Sequence, residues 1–228
     1  MKPRILLADD HSLILKGIKG LVETQYEVVE LVDNGKAAVE AALRHKPDVV
    51  ILDITMPILN GIDAMREVKR ELPQAKVIIL TMHSSPIYLR KALEAGASGY
   101  VLKSGAAEEL LEAIAKVLKG GVYVTPAFQG FTPQSLALWR AKPGKSAIEL
   151  TSRQRQILQL VAEGRQNKEI AHILKVSVKT VEFHRSRIMA KAGAHSVAEL
   201  TKLAIQEGLV DAAFDPQSSQ AERSAAQN

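Results

Sequence analysis

The 228-residue chain has no cysteine, which removes disulfides and thiolate chemistry from consideration. No apolar stretch approaches the ~18 residues that a membrane span needs. The start, MKPRILLADDH, holds only Ile5 to Ala8 before two aspartates, too short for a secretory h-region. These absences predict a cytoplasmic protein in a reducing compartment, with no membrane partner. One segment also lacks charge of one sign: residues 122–148 carry three Lys/Arg and no Asp/Glu. Residues 1–121 are balanced at 16 of each, whereas residues 149–208 hold 10 basic and 6 acidic groups. The basic excess is therefore local, and it suggests an anionic partner, nucleic acid first, for the later part of the chain only. A hydrophobic content of 46% supports real cores, and the length suits two domains.

Up to residue 121 strand and helix patterns alternate. Short apolar runs at RILLA (4–8), EVVELV (27–32), VVIL (49–52), VIILT (77–81) and GYVLK (99–103) are each followed by helical spacing, at 13–23, 36–45, 61–71, 86–95 and 107–118. Asn60-Gly61 opens the third helix, Gly96 follows the fourth and Gly120-Gly121 ends the fifth. Five such units predict an α/β fold, a doubly wound five-stranded parallel sheet with helices on both faces.

In an open parallel sheet, ligands bind beyond the carboxyl ends of the strands, near the point where strand order reverses. Asp9 and Asp10 end the first strand, Asp53 the third, Thr81 the fourth and Lys103 the fifth, so five polar groups converge on one edge. A lone strand-end aspartate is commonly a helix cap, but three carboxylates together repel one another without a cation. The set suits Mg²⁺, a hard ion that takes one or two carboxylates, keeps several waters and binds phosphate oxygens. Lys103 offers a positive charge and Thr81 a hydroxyl donor for two phosphoryl oxygens. The remaining carboxylate can act as a nucleophile and form an aspartyl phosphate.

The segments LLADDH, VVILDITMP, IILT and GYVLKS, in this order and spacing, resemble the receiver domain of two-component response regulators over residues 3–120. The resemblance implies a flavodoxin-like receiver at 1–121 with Asp53 as phospho-acceptor. It implies Asp10 as a direct Mg²⁺ ligand, Asp9 as one acting largely through water, and the backbone carbonyl of Thr55 completing the metal site with Asp53. Thr81 and Lys103 resemble the pair that reads the phosphoryl group, and Tyr100 the aromatic that changes rotamer on activation. Without the resemblance, Tyr100 reads as a strand residue covering the sheet edge. Ser104 departs from the proline that many receivers place after this lysine, where a cis bond would be costly. Thr55 and His83 lie two residues beyond Asp53 and Thr81, and are expected to border the path of an attacking water and so tune dephosphorylation. An exposed loop histidine without a role is the plain alternative.

Residues 122–148 break both periodicities with Pro126, Pro133 and Pro143 and read as a linker. Phe128, Phe131, Leu136, Leu138 and the single tryptophan, Trp139, give it more apolar surface than a solvated tether needs, so it is expected to pack on a domain or a second subunit. The tail, 211–228, has little to bury and is expected to be disordered. Between them, 149–210 reads as four helices. Thr151 with Gln154 forms a capping box, Asn167 can cap KEIAHIL, and Ser177 can cap VKTVEFHRSRIMAKAG. A short helix, a tight connection at Lys175 to Ser177 and a longer basic helix have helix-turn-helix spacing, whose second helix enters the major groove. Lys179, Thr180, His184, Arg185 and Arg187 crowd that helix and its start.

The wording LTSRQRQILQLVAEGRQNKEIAHILKVSVKTVEFHRSRIMAKAG resembles the LuxR-type helix-turn-helix domain, and behind a receiver it is similar to the NarL/FixJ family. That resemblance implies phosphate or base-edge contacts from Lys179 and Thr180, and positions facing bases for Glu182, Phe183 and Ser186. Glu182 stands where many relatives carry lysine. It could accept from a cytosine amino group, or orient Lys179 and Arg185, each three residues away; the orienting role is the slightly preferred reading. The last helix, SVAELTKLAIQEGL (196–209), is read with Val197, Leu200, Leu203 and Ala204 on one stripe, and in relatives this helix also pairs two domains into a dimer.

Together these readings predict a phosphorylation-controlled DNA-binding transcriptional regulator. A sensor histidine kinase or a small phosphodonor loads Asp53, and this controls homodimerisation and promoter binding, with RNA polymerase as a further candidate contact. It is expected to be no enzyme beyond self-phosphorylation and self-dephosphorylation. An aspartyl-phosphate phosphatase is the rival reading, but such enzymes want a second acid where Thr55 stands, and would leave the C-terminal helices unexplained. A regulator whose receiver no longer switches is the third.

Overall fold

A computed structural model describes residues 2–105, 107–128 and 148–211 of the chain. They fall into two compact units, residues 2–128 and 148–211. Phe131, Leu136, Leu138, Trp139 and the tail beyond Asp211 lie outside the described residues, and with them most of the expected linker packing.

In the first unit strands and helices alternate: β1 (Arg4–Ala8), α1 (Ser12–Val22), β2 (Glu27–Val32), α2 (Gly35–His45), β3 (Val49–Leu52), α3 (Gly61–Glu71), β4 (Lys76–Thr81), α4 (Pro86–Glu94), β5 (Gly99–Leu102), α5 (Ala107–Leu118) and β6 (Tyr123–Val124). All strand pairs are parallel, in the order β2-β1-β3-β4-β5-β6. The five expected strands are present, and a two-residue sixth joins them from the segment read as linker. Gly120, at φ 84, ends α5 and turns the chain back toward β5. The Tyr123 N–H then donates to the Ser98 carbonyl at 3.1 Å and the Thr125 N–H to that of Tyr100 at 2.9 Å. The Thr125 hydroxyl accepts from the Leu102 N–H and donates to Glu109, fixing β6 to both β5 and α5. Among the described residues every peptide bond is trans, Lys103–Ser104 included.

The strand alternation sends successive side chains to opposite faces. Leu6, Ala8, Val50, Leu52, Val77, Ile79 and Tyr100 pack with residues of α2, α3 and α4, while Ile5, Leu7, Val49, Ile51, Ile78, Leu80 and Val101 pack with α1 and α5. Both faces are covered, which is why these strands read as unbroken apolar runs.

The second unit contains four helices: α6 (Ser152–Ala162), α7 (Asn167–Ile173), α8 (Val178–Ala192) and α9 (Val197–Gln206). The capping box forms as expected, with the Gln154 N–H donating to the Thr151 hydroxyl at 3.2 Å and the Thr151 N–H to Gln154 Oε1 at 3.1 Å. Helix α7 starts one residue earlier than expected. Gln166 is its N-cap and its N–H donates to Glu169 at 2.8 Å, while Asn167 accepts from Arg185 of α8 at 2.5 Å. The α7–α8 turn places Lys175 at φ 53, and the Val176 and Lys175 N–H groups return to the carbonyls of Ala171 and His172. This is a Schellman closure with lysine where glycine is usual. Ser177 caps α8 as expected, accepting from the Thr180 N–H at 3.1 Å. Leu200, Leu203 and Ala204 of α9 are buried, but Val197 is 50% exposed, because the first helical residue precedes the turn that packs on α6.

Candidate functional site

The strand order reverses at β1, which pairs with both β2 and β3. Site residues follow the strand ends directly, and their backbones stay in the sheet. The Asp9 N–H donates to the Val32 carbonyl at 3.1 Å, that of Asp53 to Ala8 at 2.9 Å, and that of Lys103 to Thr81 at 2.8 Å. Three charged side chains therefore leave one edge from hydrogen-bonded backbone.

Lys103 Nζ lies 2.6 Å from Asp9 Oδ2 and 2.8 Å from Asp53 Oδ2, with all three side chains nearly buried. Asp53 Oδ1 accepts from the Ile54 N–H at 2.7 Å. Asp10 is more open and pairs with His11, whose Nδ1 is 2.8 Å from Asp10 Oδ1 and 3.2 Å from Asp9 Oδ1. Ligand atoms of Asp9, Asp10, His11 and Asp53 all lie within 4.8 Å of one another. Sequence reasoning missed His11, for which only its adjacency to two aspartates gave a signal.

One buried lysine faces three carboxylates, and burial is the first cause of the shifts that Asp53 and Asp10 show. Burial pushes the Asp53 carboxyl above its ordinary value, Lys103 offsets this only in part, and Asp9 adds to the rise. Asp10 is likewise raised, by burial first and by Asp53 and Asp9 beyond the offset from His11. Burial alone would lower the Lys103 ammonium, but pairing with Asp53 and Asp9 outweighs it and the net shift is upward. The pocket sets three carboxylates against one lysine, and their clustered oxygens are the donors a divalent hard cation takes.

Gly61 is essential to the geometry beneath Asp53. A Cβ there would lie 1.8 Å from the Asp53 carbonyl oxygen, so only glycine lets α3 approach the strand end. Asn60 caps that helix by accepting from the Asp63 N–H at 3.0 Å.

The second tier lies on β4 and β5. Thr81 is buried, and its hydroxyl accepts from the His83 N–H at 3.3 Å. The Thr55 hydroxyl and His83 Nε2 share a hydrogen bond of 2.9 Å, and the His83 ring stacks on Tyr88 with centroids 4.1 Å apart. The two residues expected beside the water path are thus joined to each other. Tyr100 is fully buried, and its hydroxyl donates to the His83 carbonyl at 2.7 Å. Its ring meets Phe128 edge-on at 5.5 Å.

In the second unit α8 exposes Lys179, Glu182, Phe183, Ser186 and Arg187, which recur at helical spacing along one face. Thr180 is half-buried and its hydroxyl is bonded to that of Ser177 at 2.8 Å. Arg185 and His184 are also half-buried: Arg185 turns to Asn167, and the buried Nδ1 of His184 has no hydrogen-bond partner among the described residues. Glu182 makes no ion pair with Lys179 or Arg185 among the described residues, so the orienting role has no contact behind it.

An acidic edge with one buried lysine on a parallel α/β sheet, followed by a helix-turn-helix, defines a two-domain response regulator. The response regulator receiver profile matches residues 5–115, and that of bacterial regulatory proteins of the luxR family matches residues 149–204. The chain is 38% identical over 211 residues to the transcriptional regulatory protein MctR of Rhizobium johnstonii, covering 92% of this chain and 96% of that one. It resembles RcsB in a structure of two RcsB dimers bound to two parallel DNAs, with TM-score 0.52 and 29% identity over 89% of this chain and 98% of that one. It also resembles RcsB of Salmonella enterica serovar Typhimurium bound to promoter rprA in the presence of phosphomimetic BeF3⁻, with TM-score 0.50 and 30% identity over 89% and 98%. The chain belongs to the NarL/FixJ family of response regulators, a receiver followed by a LuxR-type DNA-binding domain. No described helix is long and apolar enough to cross a membrane.

Proposed function

We propose that this protein is a transcriptional regulator switched by phosphorylation of Asp53. The observation that carries the reading is the Asp53 carboxylate, held between Lys103 and the Ile54 N–H inside a cluster with Asp9 and Asp10. A carboxylate oxygen of Asp53 attacks phosphorus, a new P–O bond forms, and the bond to the donor, a kinase histidine nitrogen or the acetate of acetyl phosphate, breaks. Lys103 is placed to follow a phosphoryl oxygen from the carboxylate it now pairs. Asp9, Asp10, Asp53 and the Thr55 carbonyl would hold Mg²⁺, which supplies charge neutralisation for the phosphoryl oxygens.

Thr81 is the second reader. Drawing its hydroxyl to the phosphoryl group removes the acceptor of the His83 N–H, and His83 in turn carries the carbonyl to which Tyr100 donates. The Thr55–His83 pair supports a role in setting the lifetime of the acyl phosphate. On the DNA side, the exposed face of α8 enters the major groove of a promoter, and two copies bind as a homodimer, as the RcsB–DNA assemblies suggest by likeness. The domain limits that accompany this reading are 1–121, 122–148 and 149–210.

Intact mass and solution size after acetyl phosphate and Mg²⁺ test it, with the parent and Asp53→Asn side by side. One added phosphoryl group and dimerisation in the parent alone are expected. Addition to both proteins would remove Asp53 from the role.

A further inference from the structure

Helix α8 breaks the usual rule for large apolar residues at one place. Val181 and Ile188 are fully buried, but Phe183 is 54% exposed, on the same face as Lys179, Ser186 and Arg187. The helical period puts it opposite the core, so it is no misplaced core residue. The ring is not loose. The guanidinium carbon of Arg187 lies 5.1 Å from its centroid, and the His184 ring meets it edge-on at 5.5 Å and 71°. A cation over an aromatic face stabilises both in place.

We propose that Phe183 and Arg187 form one reading unit that recognises a thymine and a guanine in adjacent base pairs of the major groove. This deepens the DNA-binding reading and rests on it. Thymine alone among the four bases presents a methyl group in that groove, the apolar partner an exposed ring needs. Arginine pairs bidentately with guanine O6 and N7, and Arg187 makes no hydrogen bond or ion pair among the described residues that would occupy its planar fork. The contact keeps ring and guanidinium within 5.1 Å of each other, so their two base contacts fall close together on a duplex whose bases stack about 3.4 Å apart. An arginine free of the ring can equally reach a phosphate, a contact that carries no base preference. The stacked pair instead fixes where the guanidinium sits relative to the ring, so the two contacts are read in register.

The test uses the full-length protein, treated with acetyl phosphate and Mg²⁺, on duplexes recovered by random-site selection. In each recovered half-site, every thymine is replaced singly by deoxyuridine, which removes only the methyl, and every guanine by 7-deazaguanine, which removes only N7. The expected result is one thymine whose loss of methyl weakens binding about fourfold, next to a guanine whose loss of N7 weakens it about tenfold. In Phe183→Ala the thymine and deoxyuridine duplexes bind alike, Phe183→Leu retains part of the difference, and Arg187→Ala loses the N7 effect while the remaining binding stays salt-dependent. Methyl discrimination that survives in Phe183→Ala, or sensitive thymine and guanine positions that are not adjacent, overturns the proposal and leaves DNA binding standing. No DNA binding by the parent at low salt overturns both.

Discussion

Gly61→Ala tests whether Asp53, the proposed phospho-acceptor, is held by the close approach of α3 to its own backbone. The added Cβ would sit 1.8 Å from the Asp53 carbonyl oxygen and 2.8 Å from its carbonyl carbon, inside the 3.0 Å that Cβ atoms respect. Both opposing atoms are backbone, and the Asp53 N–H is tied to the Ala8 carbonyl, so the strand end cannot give way without breaking the sheet ladder. The helix must therefore retreat by roughly an ångström. That retreat stretches the Gly61 N–H to Ile54 carbonyl bond, 2.9 Å in the parent, and loosens the buried Ile62, Met65 and Val68. The lost hydrogen bond costs about 1 kcal/mol and the overpacking about 1–3 kcal/mol, for a destabilisation of about 2–4 kcal/mol. Gly17→Ala on α1 is the control, since its Cβ would meet nothing within 4 Å. There alanine only removes unfolded-state freedom and helix cost, and should stabilise by about 0.5–1 kcal/mol. Urea unfolding of the full-length proteins, with amide exchange of β1 and β3 as the local probe, separates the two signs. Acetyl phosphate labelling should also slow in Gly61→Ala alone, because the retreat of α3 pulls on Ile54, whose N–H holds Asp53 Oδ1. A Gly61→Ala protein that matches the parent in stability and labelling would refute the reasoning.

Three other perturbations follow from the same contacts. Lys103→Met leaves Asp9 and Asp53 buried without their cation and should cost about 3 kcal/mol near neutral pH in chelator. Asp53 has a raised folded-state value, so its contribution to stability is full below the unfolded carboxylate range near 4 and is lost as pH rises through that value; without Lys103 the rise is larger, and the variant's deficit in urea midpoint should widen from pH 4.5 to 7. His83→Ala removes the hydrogen bond to Thr55 and the stack on Tyr88, and should change acyl-phosphate lifetime more than the phosphorylation rate, read by intact mass over time. Lys175→Gly should stabilise the helix-turn-helix unit by about 0.5–1 kcal/mol in thermal melts, because a left-handed residue at φ 53 favours glycine.

The strands, their helices and the converging polar residues were legible because each is a local pattern. Unbroken Val/Ile/Leu in β3 and β4 marks strands covered on both sides, and each carboxylate or lysine stands directly after such a run. What escaped the sequence depends on tertiary partners. β6 has two residues, too few for any period, and exists because Gly120 turns the chain and Thr125 reaches Glu109. Val197 falls on the apolar stripe of α9 but before its packed turn. The left-handed Ile58, at φ 72 in the loop after Asp53, is an improbable conformation for a β-branched side chain and has no sequence signature. In the site, His11 and the Thr55–His83 bond join residues whose spacing says nothing about their side-chain directions. Arg185 and His184 show the same limit on α8, where composition pointed both toward DNA and packing turned them partly inward.

A connected path leads from the acidic edge to the last described residue of the first unit. The Thr81 hydroxyl accepts from the His83 N–H, the His83 carbonyl accepts from the Tyr100 hydroxyl, and the Tyr100 ring packs on Phe128. Phe128 follows β6 and opens the segment toward the DNA-binding domain, and it belongs to the core that includes Leu89 and Leu102. Contiguity alone carries no coupling; both ends must bias the same two arrangements. Drawing Thr81 to a phosphoryl group would take the acceptor from the His83 N–H, one of the contacts that hold the carbonyl to which Tyr100 donates. A double-mutant cycle of Thr81→Ala and Phe128→Leu measures this, with the acetyl phosphate-induced gain in DNA affinity as the readout. Independent sites would give additive effects within about 0.5 kcal/mol. A coupling energy above that, present with phosphodonor and absent in Asp53→Asn, is the expected result, and strict additivity would mean that the signal leaves the receiver by another route.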